Sequence, residues 1–192
     1  QWAASAGNQV TVTATGLCAG NHDVTITDSN GCVATASATI SEPSAMSIIS
    51  QNTTNATCFG QCNGSATADA SGGNLPYSYL WNDPLSQTGK GATGLCAGTF
   101  TVTISDINNC FITSSMTVSE PAELILATTS LNSNCNQSNG SGCVIASGGT
   151  TPYSYLWQSG NINPCAASLS AGTHSVTVTD ANNCVQNASV VV

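Results

Sequence analysis

The stretch SGGNLPYSYLW at residues 71–81 recurs as SGGTTPYSYLW at residues 147–157. Each copy joins a glycine pair, which suits a tight turn, to a proline and then to aromatic residues in alternate positions. In an extended strand this spacing places Tyr77, Tyr79 and Trp81 on one face. We therefore predict that each copy contains a strand whose aromatic face is part of a β-sheet core.

Further segments recur in the same order around this strand. The segment TGLCAG occurs at residues 15–20 and 93–98, and the related LSAG occurs at 169–172. The tripeptide Ser-Glu-Pro occurs at 41–43 and again at 119–121. Recurrence of whole blocks indicates a tandem repeat protein, in which each block is one folding unit.

The repeats divide the chain into a partial unit, 1–43, and two complete units, 44–121 and 122–192. We call these repeats one, two and three. Repeat one begins near Trp2, which aligns with Trp81, so it contains only the second half of the unit. Half a unit cannot bury its apolar face, and we expect another segment to complete it, either earlier in a longer chain or from a neighbouring molecule.

Within a repeat the apolar residues alternate with polar ones. In repeat two, Phe100, Val102 and Ile104 alternate with threonines, and this period of two is typical of half-buried antiparallel strands. No segment shows a helical period. The predicted fold is all-β: tandem immunoglobulin-like β-sandwiches, with about seven strands per repeat, joined by short Pro-containing linkers into a rod-like array.

Composition excludes several classes of function. The chain has one basic residue, Lys90, and nine acidic ones, for a net charge of −8. Phosphate recognition needs clustered Lys and Arg, so nucleic acid is excluded as a partner. No apolar run approaches the length of a membrane span. Ten cysteines in 192 residues indicate an oxidising, extracellular location.

The ordered motifs resemble the SprB repeat, a family found in giant surface adhesins of Bacteroidetes and similar to PKD and other immunoglobulin-like modules. The matching elements are Ser-Gly-Gly, Pro-Tyr-Ser-Tyr-x-Trp, Gly-Leu-x-Ala-Gly, Asn-x-Cys and Ser-Glu-Pro. Three positions where the family usually has Tyr hold His22, Phe100 and His174, and Ser170 replaces a cysteine.

This resemblance implies secretion to the cell surface by the type-nine route, and roles in adhesion and, for some members, gliding motility. The implied partners are neighbouring repeats of the same chain or identical chains in a fibre. No cofactor is expected, and neither paired carboxylates nor a Ser-His-Asp arrangement recurs, so we predict that the chain is not an enzyme.

Parity and spacing constrain the disulfides. Cys96 and Cys110 lie at opposite ends of a strand of about eight residues, roughly 25–30 Å apart, which is too far for a bond. Repeat three lacks the equivalents of Cys62 and Cys96 together and gains two other cysteines together, which indicates pairs. We predict that the disulfides are Cys58–Cys110, Cys62–Cys96, Cys135–Cys184 and Cys143–Cys165.

Cys18 and Cys32 would then bond to the segment that completes repeat one. These pairings assume that no disulfide crosses between repeats. Zinc binding is disfavoured, because Cys58 and Cys62 lack a second pair of ligands and a nearby histidine. His22 and His174 occupy the strand position of Phe100, which favours a packed ring, with a hydrogen bond to the preceding corner, over a ligand.

Two alternatives to a structural and adhesive stalk stay open. If the aromatic strand were exposed, the repeats could form a carbohydrate-binding array that recognises surface polysaccharide. If strands of a neighbour complete repeat one, the chain is a self-assembling extracellular filament subunit. An accessory region of a secreted hydrolase is a weaker third possibility.

Overall fold

The structure is a computed structural model that describes residues 1–192. It contains fourteen β-strands and one short 3-10 helical turn at Ala4–Ala6, which confirms the all-β class. Repeat one contains β1 (Gly20–Thr27) and β2 (Val33–Ile40). Repeat two contains β3 (Ser47–Thr54), β4 (Gly64–Ser71), β5 (Ser78–Trp81), β6 (Gly91–Leu95), β7 (Gly98–Ser105) and β8 (Phe111–Val118). Repeat three contains β9 (Ile125–Leu131), β10 (Gly140–Ser147), β11 (Ser154–Trp157), β12 (Cys165–Leu169), β13 (Thr173–Thr179) and β14 (Val185–Val191).

The chain forms two compact units. The first contains residues 1–45 and 72–74, and the second contains residues 46–71 and 75–192. Repeats two and three therefore lie almost completely in the second unit.

Repeat two consists of two three-stranded antiparallel sheets that share one core. One sheet has the order β3-β4-β6 and the other β5-β7-β8. Inward side chains of both sheets meet in this core, as period-two alternation requires. Trp81 is 1% exposed, and Val102 and Ile104 are fully buried. The core is thin because β4 contributes only alanines, Ala66, Ala68 and Ala70.

Repeat three has the same two sheets, β12-β10-β9 and β11-β13-β14, around an equivalent core. Trp157 is 1% exposed, and its indole Nε1 donates to the carbonyl oxygen of Asn163 at 2.9 Å. Trp81 makes the same type of bond to Gly89, and Trp2 to Thr11. The prediction that the aromatic strand faces a core is confirmed in both full repeats.

Each full repeat has six strands, where the sequence predicted about seven. In repeat two the missing strand would follow β5, but residues 82–90 form turns instead. The carboxylate of Asp83 accepts hydrogen bonds from the backbone N–H groups of Leu85 and Gln87, at 3.1 and 2.9 Å. These bonds hold the segment in a turn, and the N–H groups that they occupy are not available for pairing with a neighbouring strand.

The first glycine of each Ser-Gly-Gly corner is required for a steric reason. Gly148 has φ +72°, and a Cβ there would lie 1.8 Å from the carbonyl oxygen of Glu123. Gly72 has φ +81°, and its Cβ would lie 2.1 Å from the carbonyl oxygen of Ala45. Only glycine fits either position, because the linker that enters the repeat crosses directly over the corner.

Repeat one forms an open hairpin in the first unit. β1 and β2 pair in register from Gly20 opposite Ile40 to Thr27 opposite Val33. Every residue of β2 is exposed, and Ile26 is 60% exposed, although its equivalent Ile104 is fully buried. On the face that a second sheet covers in the full repeats, Ile26 and Ile40 are exposed here, whereas His22 is buried.

Candidate functional site: the junction between repeats two and three

The features that the sequence singled out meet where repeat two adjoins repeat three. Three segments form this junction: the loop after β3, the linker after β8, and the turn between β13 and β14. All three lie in the second compact unit.

The first segment is the β3–β4 loop, residues 55–63, which carries Cys58. The backbone N–H of Thr57 donates to the side-chain oxygen of Asn63 at 3.0 Å. The amide of Asn63 in turn donates to Gln61 at 3.1 Å. These side chains replace strand pairing along the loop and fix the position of Cys58, which is 8% exposed.

The second segment is the linker that begins with Ser119, Glu120 and Pro121. The carbonyl oxygen of Ser119 accepts from Ala56, and its N–H donates to the side chain of Asn55 at 3.0 Å. The Glu120 carboxylate accepts from the N–H of Gly60 at 2.6 Å. The Ser-Glu-Pro motif therefore fastens the linker to the Cys58 loop.

The third segment is the β13–β14 turn, residues 180–184. Asp180 is buried, and its carboxylate accepts from the N–H groups of Asn182 and Cys184, at 2.8 and 2.9 Å. The other carboxylate oxygen accepts from the N–H of Thr150 at 2.8 Å. The turn is thereby joined to the Gly148–Thr150 corner, which also holds the linker through the bond from Gly149 to Ala122.

The electrostatics of this turn favour an ionised Asp180. Burial alone would raise the pKa of the carboxyl, but the N–H groups of Cys184, Thr150 and Asn182 donate to the charged form. Together they outweigh the burial and lower the pKa below its ordinary value. A charged acceptor therefore holds the backbone of the turn at neutral pH.

A disulfide connects the first and third segments. Cys58 of repeat two bonds to Cys184 of repeat three, with their Cα atoms 5.7 Å apart and a sequence separation of 126. Beside it, the amide of Asn182 donates to the carbonyl oxygen of Thr57 at 3.0 Å. The repeats are thus joined by the peptide linker, by this hydrogen bond and by a covalent cross-link.

The predicted pairs Cys58–Cys110 and Cys135–Cys184 are not the pairs of the structure. Cys58 lies at the end of repeat two where β7 begins, whereas Cys110 follows the turn at the end where β7 stops. The eight residues of β7 span roughly 26 Å at about 3.3 Å per residue, far more than a disulfide allows. The assumption that no disulfide crosses between repeats was wrong.

The structure contains the other two predicted pairs. Cys62 bonds to Cys96, which connects the ends of β4 and β6. Cys143 bonds to Cys165, and these residues lie directly opposite each other on β10 and β12. Cys18, Cys32, Cys110 and Cys135 are free and exposed.

The histidines make the corner contacts that the sequence suggested. Nε2 of His22 donates to the carbonyl oxygen of Cys18 at 2.9 Å, and Nε2 of His174 donates to that of Ser170 at 2.9 Å. Both rings stand where Phe100 packs against the core of repeat two. Their role is therefore to close the corner before a strand.

A cleft of about 460 Å³ lies along the junction, between the Cys58 loop, the linker and the β13–β14 turn. Its walls include Phe59, which is 52% exposed, and the acidic residues Glu123 and Asp180. No cluster of His, Cys, Asp or Glu in the structure could hold a metal ion. The single ion pair, Lys90 to Asp69 at 2.8 Å, lies elsewhere in repeat two.

The fold and this junction define an all-β protein in which repeats two and three are cross-linked by a disulfide. The family model of the SprB repeat matches residues 50–86 and 127–161, one segment in each full repeat. These two matches confirm the resemblance to the SprB repeat that is seen in the motifs.

Comparison with other proteins adds little to this assignment. No curated protein matches the chain. Among solved structures, the amphioxus IgVJ-C2 molecule is similar at 10% identity and a TM-score of 0.30, with 77% of this chain and 95% of that chain covered. The structure has no helix of the length and apolar character needed to cross a membrane.

Proposed function

We propose that this chain is part of a structural and adhesive stalk in an extracellular bacterial surface adhesin or fibre, built from tandem immunoglobulin-like sandwiches. The observation that carries this proposal is the cross-linked junction. Two SprB repeats are joined by a linker whose Ser119 and Glu120 bind the preceding loop, and by a disulfide that spans 126 residues. Such a connection suits a protein that transmits force between a cell and a surface.

The wider setting of the proposal follows from the family and from the chemistry of the chain. Disulfides require an oxidising compartment, which supports a location outside the cell. We propose secretion by the type-nine route, a non-enzymatic role, and a contribution to attachment and gliding. The partners would be neighbouring repeats or identical chains.

The test is surface labelling followed by gene deletion in the source bacterium. Antibodies raised against the 192-residue chain are expected to label intact cells as strongly as permeabilised cells. A strain without the encoding gene should attach to glass less well than its parent, and restoring the gene should restore attachment. Labelling that appears only after permeabilisation would exclude the stalk.

A second candidate function is a self-assembling filament subunit, which is favoured by the exposed inward positions of the repeat-one hairpin. Ile26 is 60% exposed and Ile40 is 37% exposed, whereas their equivalents Ile104 and Val118 are buried. Strands from a neighbouring molecule would cover this face as β3 and β4 cover the equivalent face of repeat two. The carbohydrate-binding alternative has less support, because Trp81 and Trp157 are buried and cannot stack on sugars.

Light scattering coupled to size-exclusion chromatography separates the stalk from the filament subunit. A stalk segment is expected to stay at 19.2 kDa as its concentration rises from micromolar to hundreds of micromolar. A filament subunit would grow in mass with concentration. Replacing Ile26 and Ile40 by threonine, on the inward face of the hairpin, would then reduce that growth.

A further inference from the structure

We propose that Cys58–Cys184 is one member of a series of disulfides, in which the loop cysteine of each repeat bonds to the turn cysteine of the repeat that follows. Cys135 is then the open loop position of repeat three, and Cys110 is the open turn position of repeat two. This inference deepens the proposed stalk function by naming the partner of two exposed thiols: a further copy of the repeat.

The loop that carries Cys135 is built like the loop that carries Cys58. In repeat two the N–H before the cysteine, that of Thr57, donates to Asn63, whose amide donates to Gln61. In repeat three the N–H of Asn134 donates to Asn139 at 2.8 Å, and the amide of Asn139 donates to Gln137 at 2.9 Å. Equivalent side-chain hydrogen bonds therefore hold the two loops, and both cysteines occupy the same position in their loops.

The turns are equally alike in all three repeats. Asp180 accepts from the N–H of Cys184 at 2.9 Å, and Asp106 accepts from that of Cys110 at 2.9 Å. In repeat one, Asp28 accepts from the N–H of Cys32 at 2.8 Å. Asn108 also stands at the position of Asn182, whose amide binds the neighbouring loop in the observed junction. Cys110 therefore occupies the same position in its turn as Cys184, and its backbone makes the same hydrogen bond to an aspartate.

Strand direction explains why each bond must cross between repeats. The loop cysteine lies at the end of a repeat where its fifth strand, β7 or β13, begins, and the turn cysteine lies where that strand ends. Eight residues of β7 and seven of β13 separate the two ends by more than 20 Å, at about 3.3 Å per residue. A bond within one repeat is therefore excluded, whereas the leading end of the next repeat adjoins the loop, as Cys184 adjoins Cys58.

The scheme assigns three of the four free cysteines, Cys32, Cys110 and Cys135. Cys110 and Cys32 are turn cysteines, whose partner is the loop cysteine of the repeat before. Cys135 is a loop cysteine, whose partner is the turn cysteine of the repeat after. The fourth, Cys18, aligns with Cys96, which bonds to Cys62 within repeat two and is not part of the series.

Each new junction forms one Sγ–Sγ bond from two thiols. The thiols lose two protons and two electrons, and a low-molecular-weight disulfide such as oxidised glutathione accepts them and becomes two thiols. Thiol–disulfide exchange therefore completes the reaction with no metal and no other cofactor.

The test is a count of free thiols in the 192-residue chain and in the same chain extended after Val192 by a second copy of residues 119–192, which includes the Ser-Glu-Pro linker. Both are oxidised with the glutathione couple, denatured without reduction and alkylated with N-ethylmaleimide, and the added groups are counted by intact mass. The 192-residue chain is expected to gain four, on Cys18, Cys32, Cys110 and Cys135. The extended chain is also expected to gain four, because Cys135 is consumed and the added repeat exposes its own loop cysteine.

The other counts overturn the proposal in distinct ways. Six groups on the extended chain would mean that Cys135 does not engage the added repeat. Two groups on either chain would mean that the pairs close within each repeat, as Cys58–Cys110 and Cys135–Cys184.

Two single substitutions in the extended chain sharpen the assignment. Cys135→Ser should raise the count from four to five, since the turn cysteine of the added repeat loses its partner. Cys110→Ser, the matched control at another exposed thiol, should lower the count to three. Equal changes in the same direction would overturn the proposal. Surface labelling of cells does not depend on these counts, so failure here leaves the stalk function to its own test.

Discussion

Replacing Trp81 by alanine is expected to lower the free energy of unfolding of repeat two by about 3–5 kcal/mol. The side chain is 1% exposed at the centre of a core to which β4 contributes only alanines. Its removal leaves a cavity that small neighbours cannot fill, and it deprives the carbonyl oxygen of Gly89 of the indole donor at 3.0 Å. The change is large against the total stability of a small domain.

The matched control is Leu80→Ala, the adjacent position on the opposite face of β5. Leu80 is 53% exposed, so its truncation should cost at most about 1 kcal/mol. Far-ultraviolet circular dichroism in a denaturant series measures both variants without relying on tryptophan fluorescence. Equal destabilisation by the two substitutions would contradict the assignment of Trp81 to the core.

The period-two pattern was sufficient to predict the all-β class and the inward faces of the strands. Phe100, Val102 and Ile104 alternate with threonines, and the structure buries Val102 and Ile104 completely. Internal repetition strengthened the prediction, because Trp81 and Trp157 occupy equivalent positions and make equivalent bonds to a carbonyl oxygen. A pattern that occurs twice is less subject to chance than a single strand signal.

The strand count could not be predicted, because residues 82–90 could form either an edge strand or a turn. Residues 82–90 contain enough polar residues for an edge strand, but the carboxylate of Asp83 binds two backbone N–H groups and ends the extended conformation. Burial alone would raise the pKa of Asp83, yet hydrogen bonds from Gln87 and Leu85 lower it below the ordinary value. The turn is thus held by a charged acceptor whose contacts only the folded chain reveals.

The junction was missed for a different reason. The distance test that excluded Cys96–Cys110 applies equally to Cys58–Cys110, because the β3–β4 loop lies at the same end of the repeat as Cys96. Recognising this requires the order of the strands in the sheets, which alternation does not supply. Motif spacing therefore located the cysteines and selected two pairs, but only the topology shows that the end of one repeat meets the start of the next.

Removing the Cys58–Cys184 bond by the double substitution Cys58→Ser and Cys184→Ser is expected to destabilise the second unit by about 4–5 kcal/mol. The bond closes a loop of 126 residues, and in the chain-entropy treatment the constraint on the unfolded chain grows with the logarithm of loop length. Repeats two and three should also lose their common unfolding transition, since the linker and the Asn182 contact alone would then couple them.

The matched control is the double substitution Cys143→Ser and Cys165→Ser, which opens a loop of 22 residues within repeat three. Its cost should be smaller by about 1.5 kcal/mol, because the ratio of loop lengths enters as a logarithm. It should also fall on repeat three alone. Hydrogen exchange followed by mass spectrometry separates the two effects: the first variant should lose protection on both sides of the junction, and the control only in β10 and β12. If the first variant unfolds at the same denaturant concentration as the wild-type chain while the control shifts, the cross-link does not stabilise the junction, and the two repeats are coupled by their linker alone.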